Sequence, residues 1–154
     1  MWRLTWIAAA VLVFDRLSKF VATDYLTRHG EIQLAPFLNL VLVHNTGAAF
    51  GFLSGAGGWQ NLFFIIVAVA ASAFILWMSW RLDKKDKLLA IGLMLVLGGA
   101  LGNLADRLIY GYVVDFIDVH YAGWHWPAFN AADSAITMGA VLLILDALKS
   151  RTRQ

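Results

Sequence analysis

The chain has no cysteine, and that absence removes a disulfide framework, a thiolate metal site and a cysteine nucleophile together. Charge is scarce as well. Only 14% of the 154 residues are Asp, Glu, Lys or Arg while 60% are hydrophobic, and the mean hydropathy is +0.69, too apolar for an ordinary soluble domain. A sequence pI of about 9.1 would suit a nucleic-acid binder, but the formal net charge is only +2 and the basic residues fall in short clusters between apolar runs. That is a topology signal, and no nucleic-acid partner is expected. The sequence lacks HExxH and any ligand pair spaced four apart on a helix, so no metal is expected, and His44, His120 and His125 read as interfacial side chains. It has no nucleotide loop, and no cofactor is expected. Without internal repeats, low-complexity stretches or linkers, residues 1–154 read as a single domain.

What the sequence does have is four apolar stretches long enough, at roughly 17 to 25 residues, to cross a hydrocarbon core of about 30 Å. They run from Leu4 to Tyr25, Trp59 to Trp80, Leu88 to Tyr110 and Ala131 to Leu148. Residues Met1 to Phe14 resemble a secretory signal, but Asp15, Arg16 and Lys19 follow at once and the helical pattern continues. The short run Leu38 to Val43, after Pro36 and before Asn45, Thr46 and Gly47, reads as a β-strand, so a small sheet is expected between helices 1 and 2. The fold class is therefore an all-α membrane protein with four transmembrane helices and a small extracytoplasmic sheet. Arg3, Arg81, Lys84, Lys85, Lys87, Lys149, Arg151 and Arg153 fall on one side of these spans, whereas the loops Leu26 to Gly58 and Gly111 to Asn130 hold only Arg28. Both termini are expected in the cytoplasm and both loops outside it. The second loop, with Tyr112, Phe116, Tyr121, Trp124, Trp126 and Phe129, is expected to lie in the headgroup interface.

An ionisable side chain within a span costs several kcal/mol unless paired or wet, which makes each one a candidate for function. Asp15 and Lys19 are four apart on helix 1 beside Ser18, a spacing that permits an ion pair; a self-neutralising structural pair is the first reading and a role in chemistry the second. On helix 3, Gly98, Gly99 and Gly102 give a small-residue face, followed by Asn103, Asp106 and Arg107. Asn103 and Asp106 share a face, and Arg107 can neutralise Asp106 or another carboxylate; scaffold precedes chemistry as the reading here too. Asp115 follows helix 3 and Asp133 begins helix 4, where Asn130 as N-cap with Asp133 three residues on resembles a capping arrangement. Capping and catalysis are compatible. Two carboxylates brought together at low dielectric would share a proton and offer a base and an acid. Asp24 and Asp118 read as solvated loop charges, and Ser72 and Ser79 as hydroxyls bonded back to their own helix. A small proton-coupled transporter and a structural subunit remain alternatives to an enzyme.

Taken together, the segments Asp15-Arg16-Leu17-Ser18-Lys19, His44-Asn45-Thr46-Gly47-Ala48-Ala49-Phe50-Gly51, Gly102-Asn103-Leu104-Ala105-Asp106-Arg107, Val113-Val114-Asp115-Phe116 and Phe129-Asn130-Ala131-Ala132-Asp133-Ser134 resemble the lipoprotein signal peptidases across essentially the whole chain. Each is short, but five in order on four spans are specific. The resemblance implies an aspartic endopeptidase of the bacterial cytoplasmic membrane that removes signal peptides from prolipoproteins before a diacylglyceryl-modified cysteine. It implies Asp115 and Asp133 as the catalytic pair, with Asp15, Lys19, Asn45, Gly47, Asn103, Asp106, Arg107, Asn130 and Ala132 as supporting or substrate-binding residues. It also implies a β-cradle, a short interfacial helix, and lipid-modified precursors and membrane lipid as partners of a monomer. Trp124, Trp126 and Phe129 are candidate walls for lipid or the signal helix.

Overall fold

The computed structural model describes residues 4–47, 58–83 and 85–151, so Arg3, Lys84, Arg153 and the motif residues Ala48 to Gly51 lie outside the described residues. In chain order the elements are α1 (Thr5–His29), β1 (Ile32–Ala35), β2 (Leu38–Asn45), α2 (Trp59–Arg81), α3 (Lys87–Tyr110), β3 (Val113–Tyr121), β4 (Trp124–His125) and α4 (Ala131–Arg151). The four expected spans correspond to the four helices. Among the described residues, α2, α3 and α4 are each long and apolar enough to cross a membrane. α1 is as long, at 25 residues, and its interior-facing Asp15 and Lys19 are what set it apart in composition. It runs one turn past Tyr25, with Arg28 and His29 placed favourably for the helix dipole, and Gly30 (φ 74°) returns its N–H to Leu26. Gly111 (φ 81°) ends α3 in the same way on the carbonyl of Arg107, turning the chain directly into β3.

α3 is the central helix. Half of its apolar window is buried, against 11% of that of α2 and 17% of that of α4. Its small residues allow this: a methyl at Gly98 would lie 2.7 Å from the Ala8 carbonyl of α1, Gly99 faces Ala132 of α4, and Gly139 of α4 is equally tight against Gly92. Ala8, Ile75, Leu93, Met94 and Leu97 form the apolar core between the helices. α2, by contrast, leaves Leu62, Phe63, Ile66, Val69, Phe74, Leu76, Trp77 and Trp80 exposed, an all-round apolar surface suited to lipid.

The sheet draws on both long loops, in the order β1-β2-β3-β4 with every pair antiparallel. The expected strand is present as β2 and extends to Asn45. The Gly111 to Asn130 loop is not backbone merely lying at an interface: its first half is β3, pairing Leu38 with Val119 at one end of β2 and Asn45 with Val113 at the other. Val113-Val114-Asp115-Phe116-Ile117-Asp118-Val119 is rich in β-branched and aromatic residues, and β2 offers it an open edge. Phe116 packs with Ala22 and Leu26 of α1, which seats the sheet on the end of the bundle. Ser79 bonds back to Ile75 of its own helix as expected, whereas the buried Ser72 hydroxyl has no such partner.

Candidate active site

Where α1 and α3 cross, their polar residues meet. The Lys19 ammonium lies 2.8 Å from Asp15 Oδ2 and 2.8 Å from Asp106 Oδ2, and donates to Asn103 Oδ1 at 3.0 Å. Arg16 pairs with the other oxygen of Asp106. Asp15 and Asp106 are wholly buried, and each also accepts a backbone N–H, from Ala132 (2.9 Å) and Val114 (3.2 Å) respectively. Two carboxylates are thus met by two cations, and the cluster ties α1 to α3, to the first turn of α4 and to the start of β3. Gly102 makes the approach possible, since a methyl there would lie 2.5 Å from Asp15 Oδ2.

Of the two expectations for Arg107, that it neutralises Asp106 or another nearby carboxylate, the geometry favours the second. Asp106 turns toward α1 and takes Lys19 and Arg16, whereas Arg107, the next residue around the helix, donates to the Gly47 carbonyl at 2.9 Å and lies over the Phe64 ring. Arg16 is the residue that sequence reasoning missed. An arginine inside an apolar span had to have a partner, but that partner is 90 positions away and no local spacing announced it.

Beside this cluster, at the sheet end of the bundle, lie Asp115 on β3 and Asp133 in the first turn of α4. Asn130 caps α4 as the spacing predicted: its Oδ1 accepts the Asp133 N–H at 3.0 Å, and Asp133 Oδ2 accepts the Asn130 N–H at 3.2 Å. The Asn130 amide then reaches the other carboxylate, donating to Asp115 Oδ1 at 2.7 Å, while Asn45 donates to Asp115 Oδ2 at 2.9 Å. Asn103 donates to Asp133 Oδ1 at 2.8 Å. The two carboxylates therefore share Asn130, and all four of their oxygens accept an N–H from a neutral group. Asp115 is 2% exposed, and burial together with the charge of Asp133 pushes its carboxyl up to about 6, against the opposing effect of its bonds to Asn45 and Asn130.

A cavity of about 640 Å³ opens onto this pair, lined by Asn45, Gly47, Asn103, Arg107, Asp115 and Asp133, with Trp126 and Phe129 on its wall. Arg107 is near enough to both carboxylates for its charge to act on them through space. Of the proposed aromatic walls, Trp126 and Phe129 face this cavity, and Trp124 lines the adjoining groove instead. The residues Asp15, Lys19, Asn45, Gly47, Asn103, Asp106, Arg107, Asn130 and Ala132 are thereby brought into one connected network with Asp115 and Asp133.

Asp118 does not fit its reading as a solvated charge. It is 7% exposed, accepts the Asn39 amide across the β2–β3 pair at 2.9 Å, and bonds His125 Nδ1 at 2.8 Å, which fastens β4 to β3. Burial works to raise its carboxyl, but the bonds from His125 and Asn39 outweigh this and hold it below the ordinary value. Asp24 is solvent-exposed, as read, but it lies within α1 rather than a loop and pairs with Arg28 one turn on. His44 stacks on Tyr112, and His120 on His125.

Four helices with two amide-held carboxylates facing a cavity at one end of the bundle define the class as an integral membrane protein with a buried carboxylate pair. Comparison with known proteins makes the class particular. Residues 7–149 match the family described as Signal peptidase (SPase) II. The chain is 48% identical to the lipoprotein signal peptidase of Alteromonas mediterranea over 96% of its own length and 81% of the relative's, and 52% identical to that of Polynucleobacter necessarius over 93% and 87%. Two solved structures, each described as a bacterial membrane enzyme determined by the in meso method, superpose with TM-scores of 0.86 and 0.82 at 31% and 33% identity. They cover 100% and 97% of this chain and 92% and 94% of theirs. The chain belongs to the signal peptidase II family, and is an aspartic-type membrane peptidase of the bacterial inner membrane. The transporter and structural-subunit alternatives give way to this assignment.

Proposed function

We propose that the chain, acting as a single monomeric domain, removes the signal peptide from bacterial prolipoproteins by cutting before a diacylglyceryl-modified cysteine with water activated by Asp115 and Asp133. The observation that carries this reading is the pair itself: two carboxylates joined through Asn130, held only by neutral donors, beside an open cavity. At low dielectric such a pair keeps one proton, which is the protonation state that hydrolysis needs. Asp133, in the first turn of α4 where the helix dipole favours negative charge, accepts a proton from the attacking water. Asp115, the carboxyl raised to about 6, donates a hydrogen bond to the scissile carbonyl oxygen and then its proton toward the leaving amine. Arg107 offsets the negative charge that builds up as the carbonyl becomes tetrahedral. The water oxygen ends on the signal-peptide carboxylate, and the amine of the lipid-modified cysteine leaves.

The basic residues Arg81, Lys85 and Lys87 lie on the connection between α2 and α3, away from the sheet, so the same reading puts both termini in the cytoplasm and the site at the extracytoplasmic face. At that depth a diacylglyceryl group anchors the substrate, since burial contributes about 0.8 kcal/mol per methylene. The test is purified protein in detergent with a lipid-modified precursor and its unmodified twin, followed by mass spectrometry. Cleavage of the modified precursor on the N-terminal side of the lipidated cysteine, at a far higher rate, is expected. Equal rates for the two precursors would sink the lipid-anchor argument, and no cleavage of either would sink the peptidase reading.

A further inference from the structure

The carboxylates depend on three asparagine amides, and an amide that rotates by half a turn exchanges its acceptor for its donors. Each of the three is prevented from doing so by a donor behind it. The Gly47 N–H donates to Asn45 Oδ1 at 3.0 Å, which leaves the Asn45 amide nitrogen for Asp115. The Asp133 N–H donates to Asn130 Oδ1 at 3.0 Å, which leaves the Asn130 nitrogen for Asp115. In both cases the fixing donor is backbone from the same short stretch of chain.

Asn103 has no such local donor at its oxygen. That oxygen accepts from the Lys19 ammonium, on another helix, at 3.0 Å, and at the longer distance of 3.2 Å from the Asn130 amide. An ammonium only donates, so the Asn103 nitrogen is directed at Asp133 Oδ1, 2.8 Å away. Lys19 is 3% exposed, and its remaining donors are held by Asp15 and Asp106, each at 2.8 Å. Two of its bonds fix the charge in place, and the third sets the direction of an amide that touches the proposed base.

We infer that Lys19 is a positioning residue for the reaction: from within the ion cluster it fixes the Asn103 amide so that this side chain donates a hydrogen bond to Asp133. This rests on the proposed catalytic pair. With the amide reversed, an oxygen would face Asp133, and that contact is satisfied only when Asp133 carries a proton, which removes the base. The ion cluster thus sets the protonation pattern of the site without touching substrate.

The test is a pH–rate cycle on the full chain in detergent. Lys19→Met leaves Asp15 and Asp106 with Arg16 alone, so the working background is Asp15→Asn/Lys19→Met, which removes one charge of each sign and keeps an acceptor for the Ala132 N–H. In that background the acid limb of kcat/KM is expected to move up by about 1 on the pH scale, a roughly tenfold loss of rate below the limb. Adding Asn103→Ala to parent and double variant removes the amide, and the difference in limb position between them should fall to less than half. Lys19→Arg, which keeps a donor, should hold the limb near that of the parent. An equal displacement with and without Asn103, or an unmoved limb in the double variant, overturns the inference. Failure of the underlying pair reads differently, as turnover retained by Asp115→Asn or Asp133→Asn.

Discussion

Two groups of buried carboxylates lie side by side in this molecule and are held in opposite ways. Asp15 and Asp106 are wholly buried and matched by Lys19 and Arg16, charge against charge. Asp115 and Asp133 are held by Asn45, Asn103, Asn130 and a backbone N–H, all neutral, beside an open cavity. Cations offset the charge of a buried carboxylate and, through it, hold helices together. Amides fix its position and leave its charge uncompensated, and burial raises the carboxyl of Asp115. The nearest cation on the open side, Arg107, donates to the Gly47 backbone and acts on the pair through space. One asparagine, Asn103, belongs to both groups and joins them.

The sharpest way to break this division is to neutralise each group in turn. Asp115→Asn and Asp133→Asn should each lower turnover by at least about a thousandfold, since an amide is neither base nor acid, while leaving a folded membrane protein. Near-parental turnover in either would end the assignment. Within the ion-paired group the loss should appear in stability instead. Lys19→Ala or Asp15→Ala leaves a charge buried without its partner and should cost about 3 to 5 kcal/mol, whereas the double variant should lose less than the sum. Additive losses in thermal melts would show that the two residues act independently.

The comparison also predicts a pH signature. A carboxyl raised to about 6 takes up its proton more readily in the folded chain than in the unfolded one. Its favourable contribution is complete below the ordinary value of 3.8 and is lost as pH rises through about 6. The parent should therefore gain stability over Asp115→Asn as pH falls from 7.5 to 5, by roughly 1.4 kcal/mol. A stability difference that does not change across that interval would mean that Asp115 is not raised.

How much of this was legible in the sequence depended on whether the controlling contact was local. The four spans, the strand from Leu38 and the Asn130–Asp133 cap follow from short periodicities, and all are present. The Asp15–Lys19 pair is likewise a single turn of helix. Arg16 with Asp106, Arg107 with Gly47, and β3 with β2 join positions far apart in the chain, and nothing in a short window signals such contacts. The five motifs together carried the family and its residues, because their order records what each alone does not. Sequence alone could not tell which carboxylates would be met by cations and which by amides.

Asp118 tests the division at its edge. A solvated charge by its sequence, it is instead buried, bound by one neutral amide, from Asn39, and by His125, whose side chain is half exposed. It thus falls between the two groups. Its bonds fasten the strand from which Trp126 and Phe129 go on to wall the cavity, but it does not itself line that cavity. Because His125 is open to solvent, the ionic part of the contact is screened, and Asp118→Asn should cost only about 1 kcal/mol at neutral pH. A carboxyl held below its ordinary value contributes stability above that value and loses the contribution as pH falls through its own, so parent and variant should converge in acid. Any kinetic effect should fall on KM, through a loosened wall, with kcat near that of the parent. If Asp118→Asn instead removed turnover as completely as Asp115→Asn, the chemistry would extend beyond the amide-held pair, and the rule that separates the two carboxylate groups would fail.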